Sequence, residues 1–168
     1  MRGWALSCSG RHEEGVAELE RGLADELRAS DIWAAMVGTF LAEAHLRHRR
    51  PQAARAALDH VLSITRAMPT YFHEPELLRV EAELLRLAGR EAEARRLLLQ
   101  SIETARNHGS WALAVRAALA LARPPWAGGE ADLKMLGDLY ERLPAENDTD
   151  YGREARALLG RGTATAVP

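Results

Sequence analysis

A helix-turn segment recurs in this chain with a period of about 40 residues, a length typical of helical-repeat arrays, and nothing else in the sequence restricts its fold as much. The copies are Gly10-Arg-His-Glu-Glu-Gly-Val-Ala-Glu-Leu, Arg49-Arg-Pro-Gln-Ala-Ala-Arg-Ala-Ala-Leu and Gly89-Arg-Glu-Ala-Glu-Ala-Arg-Arg-Leu-Leu. Each closes one amphipathic helical pattern and opens the next. Such a period reads as a stack of helix pairs whose apolar faces are buried only against neighbouring pairs. The reading is an all-α solenoid.

The register can be followed residue by residue. Gly15, Ala54 and Ala94 are evenly spaced small markers, each followed after four by a leucine: Leu19, Leu58 and Leu98. The small residue lets two helices approach, and the leucine fills the groove between them. A fourth copy is expected between Gly128 and Tyr140.

Periodicity of 3.6 residues places helices over 12–28, 32–48, from Pro51 to Leu62, from Pro75 to Leu85 and over 91–107. Further helices start at Ser110, run past Leu133 to Leu143, and end with a short one from Tyr151 to Leu159. Ser30-Asp31 and Ser110 are expected as N-caps, and Gly89 and Gly109 as stops. Val and Ile together number nine, so strand formers are scarce. Repeats are expected at 1–30, 31–70, 71–108 and 109–143, with a terminal helix 150–159. All lie in one domain, 1–159, and the tail 160–168 is expected to be disordered.

The formal net charge of −2 gives no global field towards nucleic acid or an anionic membrane. Cys8 is the only cysteine, which excludes an internal disulfide and suits a reducing, cytoplasmic setting. The start lacks a signal-peptide apolar region, and no apolar run is long enough to span a bilayer.

Small residue, large apolar residue after four, small or apolar residue after seven: the pattern resembles the second helix of a tetratricopeptide repeat (TPR), lengthened from its standard period. Gly3-Trp-Ala-Leu, Leu41-Ala-Glu-Ala-His, Glu83-Leu-Leu-Arg-Leu-Ala-Gly-Arg and Arg153-Glu-Ala-Arg-Ala-Leu-Leu carry a second likeness. They resemble the C-terminal helical-repeat region of bacterial signalling proteins that join a nucleotide-cyclase or DNA-binding domain to a STAND-type ATPase. The resemblance implies a right-handed superhelix of antiparallel pairs and a non-catalytic protein-binding or sensing role. Met1 falls inside what the likeness makes a first helix, so the chain is expected to be part of a larger protein. The likeness also implies that Met36, Thr39, Glu43 and Arg47, then Glu76, Arg79, Glu83 and Arg86, face the concave groove.

Most chemistry-bearing residues have a simpler structural role. Cys8 has no paired base in the pattern and is expected to pack as a small buried residue. His45 and His48 lack the remaining ligands of a metal site, and His45 is expected in the core. Arg47-His-Arg-Arg reads as a helix C-terminal cluster complementing the dipole, not a nucleic-acid contact. Glu13, Glu14, Glu81 and Glu83 read as solvated faces, Glu83 pairing with Arg86. Trp33 and Trp111 are expected between helices, and Trp126 on a loop. No catalytic residue, metal or cofactor is expected. The expected partner is a protein or peptide segment bearing charged and apolar groups, with self-association through the terminal helices. The alternative is a small-molecule-sensing solenoid of a transcription regulator, which requires a closed, apolar pocket.

Overall fold

A computed structural model describes residues 2–26, 31–66, 72–123, 129–144 and 149–160. Within them the chain is all-helical, with no strand among the described residues. The helices are α1 (Arg2–Cys8), α2 (His12–Glu26), α3 (Asp31–Arg47), α4 (Pro51–Thr65), α5 (Glu74–Leu87), α6 (Glu91–Asn107), α7 (Trp111–Ala122), α8 (Glu130–Tyr140) and α9 (Asp150–Leu158). Among the described residues no helix is long and apolar enough to cross a membrane. Ser30, Trp126 and the tail from Arg161 onward lie outside the described residues.

The recurring segment is a tight turn between paired helices. Gly10 has a φ of 86° and Gly89 a φ of 74°, and Arg49 adopts the same region at 56°. A Cβ opposes these conformations. In each turn the next residue's N–H reaches back five residues: Arg11 to Leu6, Arg50 to His45 and Arg90 to Leu85, at 2.9–3.0 Å. These are Schellman closures, which satisfy carbonyls left open at a helix end. Gly109 builds the same closure between α6 and α7, through the Ser110 N–H and the Ala105 carbonyl at 2.8 Å. The Ser110 hydroxyl makes no capping bond, contrary to expectation. Thr149 does cap α9, accepting from the Gly152 N–H at 3.2 Å.

The helices pack as pairs, α1 with α2, α3 with α4, α5 with α6 and α7 with α8. Odd-numbered helices also contact one another in succession, from α1 to α9, while no two even-numbered helices approach at the backbone among the described residues. The odd helices therefore form one continuous layer, and the even helices cover its other side.

Small residues set the approach within pairs. A Cβ built on Gly15 would sit 2.6 Å from the Gly3 carbonyl oxygen, so α1 and α2 touch backbone to backbone. At the matching markers Ala54 and Ala94 are fully buried, and Leu19, Leu58 and Leu98 fill the grooves beside them. In α8 the comparable place holds Asp132, four residues before the buried Leu136, and Arg95 holds its carboxylate through bonds of 2.7 and 2.9 Å.

Two apolar cores result, one spanning α2 to α5 and the other α5 to α9. Helix α5 serves both: Leu77, Val80 and Leu84 enter the first, and Ala82 and Leu85 the second. A helix buried on two sides must place any polar group in a protected network.

Candidate functional site

That network is present. Glu43 on α3 is 4% exposed and Glu76 on α5 is 1% exposed, yet both carry carboxylates into the odd-helix layer. Arg79 on α5 joins them, placing Nη2 3.0 Å from Glu43 Oε1 and 2.5 Å from Glu76 Oε1. Arg116 on α7 does the same from the other side, at 3.0 and 2.7 Å. The Trp4 indole N–H of α1 donates to Glu43 Oε2 at 3.0 Å, and Arg47 donates to Oε1 at 3.2 Å. One carboxylate thus receives donors from α1, α3, α5 and α7.

Burial alone would raise the Glu43 carboxyl. Arg79, Arg116, Arg47 and the Trp4 indole outweigh it and hold the group below the usual carboxylate range. Arg79 feels the reciprocal effect: burial opposes its charge, but Glu76 and Glu43 raise it above the ordinary guanidinium value. Glu43 and Arg79 thus each favour the other's charged form.

Above the network opens a cleft of about 250 Å³, lined from α1, α3, α5, α7 and α9. Four arginines (Arg47, Arg79, Arg116, Arg123) and four carboxylates (Glu43, Glu83, Asp150, Glu154) line it, with Trp4, Leu46, Leu119 and Tyr151 between them. The balance of signs disfavours a polyanion. A smaller hollow of about 60 Å³ adjoins it, lined by Arg79, Glu83, Arg86 and Arg123 among others.

Five of the residues expected at the groove lie in these hollows: Glu43, Arg47, Arg79, Glu83 and Arg86. Glu76 lies beneath, bonded to Arg79. Thr39 is 0% exposed, and its hydroxyl donates to the Ala35 carbonyl at 2.8 Å. Met36 packs half-buried against the first core. The first half of α3 misses the cleft because rings fill that level: Phe40 lies 5.8 Å from Trp4 and 5.3 Å from His73.

Of the other residues, some differ from expectation and some agree. Trp33 is 50% exposed, not packed between helices, and its ring meets the equally exposed Phe72 at 6.4 Å. Trp111 packs against the second core beneath the Arg142 guanidinium. Cys8 is half-buried and lines the cleft, and its burial raises the thiol above its ordinary value. Glu83 pairs with Arg79 at 3.3 Å, where Arg86 was expected. His45 is buried, and burial lowers its imidazole value. No group of three metal-binding side chains is found among the described residues.

Sequence reasoning missed Arg116, Arg123, Trp4 and the α9 side chains. Arg116 carried a signal: it is the one charged residue in the run Trp111–Ala122. A lone arginine within an apolar helix needs a buried partner. Comparison with protein-family models, curated proteins and solved structures finds no match to this chain.

Proposed function

We propose that this chain is a non-catalytic binding module, a TPR-like α-solenoid whose inner cleft receives a charged segment of a partner protein. In this reading it is the sensing or scaffolding part of a bacterial signalling ATPase or cyclase. The observation that carries the reading is the cleft itself, built jointly by all five odd helices and lined by equal numbers of arginines and carboxylates. Its charged side chains are largely tied to one another, an arrangement suited to recognition by exchange of ion pairs, not to acid–base chemistry. The rival small-molecule sensor asks for a closed, apolar pocket. An open cleft with eight charged residues favours the segment.

Display of a random peptide library against the immobilised chain tests the reading. Enriched peptides are expected. Arg47→Ala should weaken them about tenfold, since this half-exposed arginine lies at the cleft. Absence of enrichment, or enriched peptides indifferent to Arg47→Ala, rejects it. The parentage has a separate test. An upstream reading frame encoding an ATPase or cyclase is expected, and an unrelated one removes that part.

A further inference from the structure

We infer that α9 is the selecting wall of the cleft: Asp150 and Glu154 take a basic side chain of the docked segment, while Arg47 across the cleft takes an adjacent acidic one. The inference rests on the binding reading and assigns its ligand chemistry. The floor cannot choose a sign, because Glu43, Glu76, Arg79 and Arg116 already neutralise one another. The choice falls to the rim.

There, Asp150 is largely exposed, at 81% of its side chain, and Arg47 half-exposed, at 45%. Asp150 pairs with Arg153 on the same helix, and Glu154 with Arg123. Exposed pairs of this kind contribute only about 0–1 kcal/mol, so an incoming group can replace a partner at little cost. Cys8 lines the same cleft as Arg47 and Asp150. At about 250 Å³ the cleft is smaller than sites that engulf a drug-sized molecule. Its occupant inserts neighbouring side chains and leaves its backbone outside. Tyr151 and Trp4 provide apolar surface for the stems of those side chains.

Cys8, the only cysteine, reports occupancy directly. The capped tetrapeptide Ala-Glu-Lys-Ala should slow its alkylation by N-ethylmaleimide, whereas Ala-Glu-Glu-Ala and Ala-Lys-Lys-Ala should not. In the Asp150→Lys/Glu154→Lys variant, compared with its own peptide-free rate, protection should pass to Ala-Glu-Glu-Ala with at least about a tenfold change in preference. Asp150 is exposed and Glu154 half-exposed, so circular dichroism should show an unchanged helix content. Equal protection by single-sign peptides, or an unchanged preference in the variant, overturns the inference and leaves the binding reading standing. Failure of all three peptides to protect, where display has already enriched binders, also overturns it. A failed display overturns the underlying reading instead.

Discussion

Arg49 occupies a backbone conformation that its two counterparts, Gly10 and Gly89, occupy without a side chain. Left-handed φ costs a non-glycine residue about 1–2 kcal/mol, and glycine gives back about 0.5–1 kcal/mol through the entropy of the unfolded chain. Arg49→Gly should therefore raise stability by about 0.5–1 kcal/mol, seen as a higher urea midpoint at unchanged slope. A lower midpoint would show that the arginine side chain compensates. Glu43 presents the opposite case, a residue whose loss leaves charges stranded. Glu43→Gln should cost about 3–5 kcal/mol at neutral pH by leaving Arg79 and Arg116 under-neutralised. The folded carboxyl lies below its unfolded value of about 4.3, so its contribution is complete above that value and fades as pH falls towards the folded one. The gap between wild type and variant, measured by urea unfolding, should narrow below about pH 4. A gap constant with pH would remove Glu43 ionisation from the account.

At the scale of elements, the α1–α2 crossing depends on missing side chains. Gly15→Ala would place a methyl group 2.6 Å from a backbone oxygen and a backbone nitrogen, neither of which can rotate away. A loss of about 1–3 kcal/mol is expected by thermal melting, with α1 exchanging its amides faster than α3. Undiminished stability would mean that α1 docks loosely. Elements were the most legible level of the sequence. The helical stripes of α2, α4 and α6 were visible because the marker, the leucine four later and the next apolar position all fall on one buried face. The groove residues were placed by the resemblance to tetratricopeptide repeats, and Glu43, Arg47, Arg79, Glu83 and Arg86 did line the hollows. Thr39 and Met36 did not, since no periodicity tells where along a helix a ring from α1 or from the start of α5 will block the groove. Trp33 was misplaced for a related reason: its partner Phe72 lies on a connection that no helical pattern covers. The α9 side chains were illegible because no periodic pattern tells that the last helix packs on α7 beside the cleft.

Across the whole molecule, two apolar cores share α5, and the buried ion network joins α1 and α3 of one half to α7 of the other. Stacked helix pairs ordinarily unfold with energies set by nearest neighbours, so damage at one end spreads only as far as the interfaces carry it. Here Glu43 and Arg116, 73 positions apart, supply a second link across α5. Leu136 is fully buried in the second core alone. Leu136→Ala opens a cavity there and should cost about 2–5 kcal/mol. With the network intact, hydrogen exchange should show α3 and α4 losing protection along with α7 and α8. In the Arg116→Met background the same change should lower protection in α6 to α8 and leave α3 and α4 near their values in Arg116→Met alone. The difference between the two backgrounds is the coupling that a double-mutant cycle isolates, expected at about 0.5–3 kcal/mol. If α3 and α4 respond equally in both, the packing of α5 carries the coupling and the ion network serves only the cleft. If the predicted difference appears, the groups that line the cleft also bind its two halves together, and an occupant contacting Arg116 acts on both cores at once.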